Sequence, residues 1–262
     1  MISCVRLNAR AGTSLGVGTL CARGSTSFLL QVEQTYAILP SIDRTVTALF
    51  EAVAYAVRQD TEQHKVIVFF PTARLAAFYS DLFRANSISV LEIHSRKSQS
   101  HRTRISEQFR TATGVVMFSS DVSARGMDYP DVTAVIQFGL PSSREQYLHR
   151  LGRTGRAGKS GKGVLILAPF EQSFLKDLKD LPVKRNLSLQ SALALPPAED
   201  MASLAYSATT RIAGDEDLLK SAQLAYAAWL GYYKGQVRGD VIVGWLRQSN
   251  VDGNSGPLDW LG

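Results

Sequence analysis

The chain is poor in cysteine: among 262 residues only Cys4 and Cys21 occur, both near the N-terminus. Two thiols so placed build no disulfide framework, and no Cys or His cluster has the spacing of a zinc site. Histidine is scarce too, and His64, His94, His101 and His149 are scattered rather than paired. Long apolar runs are missing. No uninterrupted stretch approaches the roughly 20 residues that a membrane helix needs, so the sequence predicts a soluble protein with no membrane association. Acid is missing from one end: Arg6, Arg10 and Arg23 stand within residues 1–32, and the first acidic side chain is Glu33. That composition has the character of a mitochondrial transit peptide or of a disordered leader.

What is present is ordinary for a globular protein, with 45% hydrophobic and 20% charged residues. The 29 Lys and Arg against 23 Asp and Glu give a net charge of +6, which favours a polyanionic partner. From 33 to 183 short apolar runs alternate with longer amphipathic ones, as a parallel sheet covered by helices requires. The runs at 66–70, 90–93, 115–118, 132–138 and 164–167 are expected strands. Helices are expected at 41–59, with Ser41 as its cap, at 72–85 and at 98–109. The fold class is a doubly wound α/β domain, in which ligands sit beyond the carboxyl ends of strands.

After Pro182 the character changes, and residues 184–262 are expected to form a helical extension. Leu218, Ala222, Tyr226, Trp229 and Tyr233 recur near helical spacing. Asp215, Glu216 and Asp217 suit the N-terminus of that helix and Lys234 its C-terminus. A last short helix, capped by Asp240, is expected to run through Leu246. The aromatic residues, Trp245 included, are expected to pack onto the α/β body rather than to stack on bases.

Two clusters carry chemistry. The first, His149-Arg150-Leu151-Gly152-Arg153-Thr154-Gly155-Arg156, threads permanently charged, fork-shaped guanidiniums through glycines. Such groups neutralise charge that spreads over a transferring phosphoryl group, while glycine lets backbone approach closely. The second, Ser119 to Asp128, follows the strand at 115–118 directly. Its small hydroxyl residues and exposed amides suit phosphate oxygens, Arg125 adds charge, Gly126 permits a tight turn, and Asp128 suits ribose hydroxyls. Asp121 and Asp128 also suit turn or helix caps. One false lead lies nearby: Gly158-Lys159-Ser160 has the ending of a P-loop, but Arg153 stands where the first P-loop glycine belongs and a strand follows instead of a helix. Residues 158–163 are therefore expected to be a polar turn.

Taken together in this order and separation, the clusters resemble motifs V and VI of DEAD-box RNA helicases, a branch of superfamily 2. The segment 66–72 is similar to motif IV, and 94–102 to the stretch that carries the family's Gln-x-x-Arg, here Gln99 and Arg102. The resemblance covers 33–181 and implies the C-terminal RecA-like domain. Ser95, where the family usually has Gly, and Ser120, where it usually has Thr, depart from the pattern but stay small. Residue by residue, it makes Arg153 and Arg156 arginine fingers for the γ-phosphate of ATP, His149 a contact to the other lobe, and Asp128, with Gly126 and Arg125 beside it, part of the nucleotide site. It places Thr72, His94, Arg102, Ser120 and Asp121 on RNA sugar and phosphate, supported by Gln99.

The P-loop, the Asp-Glu-Ala-Asp box and the Mg²⁺ ligands would come from an N-terminal RecA-like lobe in cis or in trans, and this chain alone is expected to be inactive. The extension's aromatic run resembles that of fungal mitochondrial DEAD-box RNA chaperones that aid splicing. This implies RNA remodelling in the mitochondrial matrix, with the cytoplasm or nucleus as the other locations. The rival expectation is a non-enzymatic RNA-binding or regulatory module.

Overall fold

The computed structural model describes residues 32–41, 44–124, 127–156, 159–195 and 199–237. The expected leader up to residue 31, the turn residues Arg125 and Gly126, and the expected helix at 240–246 with Trp245 lie outside the described residues. No described helix is long and apolar enough to cross a membrane.

Seven strands form one parallel sheet: β1 (Val32–Ile38), β2 (Lys65–Phe69), β3 (Leu91–Ile93), β4 (Val115–Ser119), β5 (Ala134–Phe138), β6 (Gly161–Leu167) and β7 (Val183–Arg185), in the order β3-β4-β2-β5-β6-β1-β7. The all-parallel sheet is buried on both faces, which is why its central strands are continuous apolar runs rather than alternating ones. Parity sorts their side chains. Val66, Val68 and Phe70 enter one core layer with Val116, Phe118, Ile136 and Phe138, while Ile67 and Phe69 enter the other with Met117 and Val135.

Helices cover both faces. On one face lie α1 (Thr45–Arg58) and α2 (Ala73–Ala85); on the other lie α3 (Gln99–Thr111) and α4 (Arg144–Leu151). Thr72, Ser98 and Ser143 cap α2, α3 and α4, each side-chain oxygen accepting a backbone N–H three residues on, at 3.2, 3.3 and 3.2 Å. Ser41 does not cap α1. That helix starts four residues later, with Arg44 at its cap position and no side-chain cap bond.

The sheet exceeds the sequence expectation at three places. β1 carries Gln34 and Thr35 among its apolar residues, and β7 has only three residues, two of them exposed cations, so neither shows an apolar run. β6 begins at Gly161 rather than at Val164, so 161–163 is strand and not turn. The glycines there are a packing requirement. A Cβ on Gly163 would lie 2.2 Å from Leu151 Cδ1, and one on Gly161 would lie 2.4 Å from the Gly155 nitrogen.

The extension comprises α5 (Leu187–Ala194), α6 (Glu199–Gly214) and α7 (Glu216–Lys234). Asp215 caps α7 by accepting from the Leu218 amide at 3.0 Å, with Glu216 and Asp217 in the first turn and Lys234 in the last. Its buried stripe is Leu218, Ala222, Ala225, Trp229 and Tyr233. Trp229 and Tyr233 pack on each other at 4.8 Å and both meet Phe170 edge-on, so these aromatics belong to the core. Tyr226 is only half-buried and stacks beside Trp229 at 6.3 Å.

At this seam lies Glu171, fully enclosed. Its carboxylate accepts from the Ala168 amide at 2.6 Å, from the Leu140 amide at 3.0 Å, and from the Tyr233 hydroxyl. Burial pushes its pKa up to about 7 in spite of those donors.

Candidate phosphate-handling site

The predicted residues do not gather at one edge of the sheet. One group follows the strands' carboxyl ends, and the other lies on the turn after α4, toward the amino ends of β5 and β6.

The turn after α4 is fixed from several sides. Arg153 and Thr154 amides donate back to Arg150 and Leu151 carbonyls at 3.1 Å each, and the Thr154 hydroxyl donates to the Val132 carbonyl at 2.5 Å. Gly155 sits at φ +66°, where a Cβ would also meet Val32 Cγ2 at 2.6 Å, so only glycine fits. Against this turn packs Gly161. Replacing Gly161 with Ala drives a methyl into backbone at Gly155 and is expected to cost about 1–3 kcal/mol. Urea unfolding checks this, and an unchanged midpoint would contradict it.

So held, the turn presents two neighbouring guanidiniums. Arg153 donates through Nη1 to the Met127 carbonyl, and its buried Nε has no partner among the described residues. Burial first, and the charge of Arg156 second, lower its pKa to about 10. Arg156 donates through Nε to the Gly152 carbonyl at 2.9 Å and through Nη1 to the exposed Asp128 carboxylate at 2.5 Å. The two sequence clusters thus meet in an ion pair. Beside it opens a cleft of 310 Å³ whose lining includes Lys65, Arg110, Arg153, Arg156 and Lys159. Two carboxylates, Asp60 and Asp131, also line it, and Asp131 is paired to Lys159. The balance is cationic, which suits a polyphosphate. His149 is exposed on α4.

At the carboxyl edge, Thr72 caps α2, and Ser120 follows β4 with its amide 3.4 Å from the Ile93 carbonyl. Neither α2 nor α3 has an acidic residue in its first turn, so both positive helix ends stay uncompensated by local carboxylates. Arg74 and Arg96 are near enough that burial and their mutual repulsion lower the pKa of Arg74. Arg102, on α3, keeps a buried Nε with no partner among the described residues. Gln99 opens α3 and is exposed.

Two predicted contacts need correction in kind. His94 is only 2% exposed, with Nε2 2.7 Å from Glu92 Oε1 and Nδ1 accepting from the Arg96 amide at 3.2 Å. Both ring nitrogens are used internally, so this side chain shapes the 94–98 loop rather than presenting itself to a ligand. Asp121 is committed in part as well, because Arg150 Nε donates to it at 2.7 Å.

The sequence reading missed two residues. Arg150 is 0% exposed, lies 5.6 Å over the Phe69 ring, and through Asp121 ties α4 to the end of β4. In the sequence it is only one more cation in a basic run. Glu92 is 4% exposed and collects Arg84, Lys97 at 3.1 Å and His94. Burial alone would raise its pKa; the three hydrogen bonds outweigh burial and hold it at about 2. The signal was available, since a lone carboxylate inside an apolar strand needs partners.

The helicase conserved C-terminal domain matches residues 46–158. The DEAD-box ATP-dependent RNA helicase 26 of Arabidopsis thaliana is 44% identical over 215 residues, which is 81% of this chain and 24% of that protein. The DEAD-box ATP-dependent RNA helicase 25 of the same plant is 45% identical over 210 residues, 79% of this chain and 34% of that protein. The chain therefore spans about a quarter to a third of the length of these relatives. Among solved structures, domain 2 of the DEAD-box helicase Mss116p bound to an RNA duplex aligns with a TM-score of 0.62 at 25% identity, covering 77% of each chain.

Proposed function

Because this chain belongs to the DEAD-box family and carries its C-terminal RecA-like domain, we propose that it serves as the lobe that completes an RNA-stimulated ATPase and holds half of the RNA track. One observation carries the proposal: Arg153 and Arg156 line one cationic cleft, with Asp128 paired to Arg156 beside it, while α4 links that cleft, through Arg150 and Asp121, to the basic carboxyl edge. In this reading Arg156 and Asp128 part on nucleotide binding. Asp128 turns to ribose hydroxyls, and the two guanidiniums meet the γ-phosphate. His149, exposed on α4, faces the partner lobe.

The residues of this chain suit the phosphates and the ribose. No group of three or more His, Cys, Asp or Glu among the described residues could hold a metal ion. In this reading Mg²⁺ and the phosphate cradle belong to an ATP-binding lobe supplied in cis or in trans. Closure of two lobes on nucleotide and RNA assembles such a site only when both ligands are present, which couples hydrolysis to strand separation. Two guanidiniums set side by side on one glycine-packed turn favour this reading over a purely RNA-binding module.

RNA binding is assigned to the carboxyl edge, where Thr72, Ser120, Arg102 and the two helix N-termini face one surface, with Gln99 at its rim. Contacts of this kind read backbone and the 2′-hydroxyl, so binding is largely independent of sequence. Replacing Arg102 with Ala is expected to weaken single-stranded RNA binding and lower the slope of log affinity against log salt by about 0.7 or less, as for one phosphate contact. Fluorescence titration at several salt concentrations checks this; an unchanged slope contradicts the assignment. RNA remodelling in the mitochondrial matrix, including splicing, is proposed on the arginine-bearing, acid-free first 32 residues and on the extension's layout.

A further inference from the structure

The helical extension ends on the turn that launches α4. The last sheet bond of that segment is the Gly139 amide to the Ile166 carbonyl at 2.9 Å, and the first helical bond is the Tyr147 amide to the Ser143 carbonyl at 3.0 Å. Between them stands Leu140, whose two backbone polar groups are both taken up by side chains. Its amide donates to Glu171 Oε1 at 3.0 Å and to the Tyr233 hydroxyl at 3.2 Å, and its carbonyl accepts from the Tyr232 hydroxyl at 2.8 Å.

The approach is close. Gly139 sits at φ +90°, and a Cβ there would meet Pro71 Cγ at 2.9 Å and the Tyr233 hydroxyl at 3.1 Å. Glu171 accepts from the Tyr233 hydroxyl as well, closing a small ring of bonds around the turn. A further restraint at the head of α4 is exposed: Arg144 reaches Asp180 at 2.7 Å and the Asp177 carbonyl at 2.5 Å.

We propose that Tyr232, Tyr233 and Glu171 are positioning residues for the arginine-bearing turn, so that the extension sets the placement of α4 through Leu140. α4 has eight residues and spans roughly 12 Å as a rigid rod, so a shift at its head is delivered at its tail, where Arg153 and Arg156 follow within five residues. Misplacement of about 1 Å at a reacting centre costs about 10²-fold in rate. An extension that merely covered apolar surface would need no hydroxyls at this point, since phenylalanine would fill the same space.

The test uses the 262-residue chain with Tyr232→Phe and Tyr233→Phe together, and Tyr232→Phe alone as the milder variant should the double one fail to fold. Amide hydrogen exchange over 140–156 is expected to accelerate at least tenfold while β2 and β4 keep their protection. Uniform acceleration, or none, overturns the proposal. A second arm rests on the proposed function: in a protein joining this chain to an ATP-binding lobe, kcat is expected to fall three- to tenfold with the RNA KM unchanged. A fall in RNA affinity with kcat intact overturns the positioning role. Local acceleration in the free chain together with a wild-type joined protein that hydrolyses no ATP would refute the functional reading and leave the clamp standing.

Discussion

Arg156→Ala is expected to lower kcat of the joined two-lobe protein by about 10³- to 10⁵-fold, the range for removal of an arginine finger, with RNA binding in the absence of nucleotide nearly unchanged. Arg156 makes one backbone bond and one pair with the exposed Asp128, so its loss disturbs little of the resting fold. Arg153→Ala is expected to give a similar loss of kcat with an added loss of stability, because Arg153 is partly buried and ties the turn to the Met127 carbonyl. Arg153→Lys keeps a charge but loses the fork, and rescues little. Steady-state ATPase and a nucleotide-free RNA titration on the same preparations check both. RNA affinity falling in step with kcat would move these residues from the phosphate site to the RNA track.

Glu92→Ala is expected to destabilise the domain by about 1–3 kcal/mol, the cost of leaving hydrogen-bonding groups without their buried partner. It strands the His94 ring, Arg84 and Lys97 around an empty site. Acid unfolding reports the same carboxylate. With its folded pKa near 2, below the ordinary value of 4.5, the Glu92 contribution is complete above pH 4.5 and is lost as pH falls toward 2. Two and a half units correspond to about 3 kcal/mol at most, less in practice because Arg84 and Lys97 are partly in solvent. The wild type should therefore lose stability on acidification more steeply than Glu92→Gln, measured by urea unfolding between pH 5 and 2. Parallel curves would contradict the low pKa. Since the same cluster anchors the 94–98 loop and the entry to α3, Glu92→Gln should also weaken RNA binding without touching ATP chemistry.

Much of this architecture is legible in the residues. The runs at 66–70 and 115–118 are buried on both faces, so they stand out without alternation, and Thr72 and Ser98 announce their helices by capping. The acids and the lysine bounding α7 follow the helix dipole. Other parts are silent for physical reasons. β7 is three residues held at the edge by backbone bonds, which no side-chain pattern records. The glycines at 161 and 163 have the look of a turn because their purpose, room for Gly155 and Leu151, depends on an element ten residues away.

For the candidate site the sequence offers members but not their geometry. Position beyond a strand's carboxyl end describes Thr72, Ser120 and Asp121, whereas the arginines stand on the turn after a helix that has carried the chain back toward the amino ends of β5 and β6. Arg150 and Glu92 escaped because their role is made by partners distant in sequence, and His94 was assigned outward although Glu92 holds it inward.

The central claim is that this lobe completes an ATPase that it cannot run alone. ATP turnover by the 262-residue chain, and by the same chain joined to an ATP-binding DEAD-box lobe, each with and without single-stranded RNA, tests it most directly. No turnover is expected from the chain under either condition, and RNA-stimulated turnover from the joined protein. RNA-stimulated hydrolysis by the chain alone, or a joined protein indifferent to RNA, would contradict the claim.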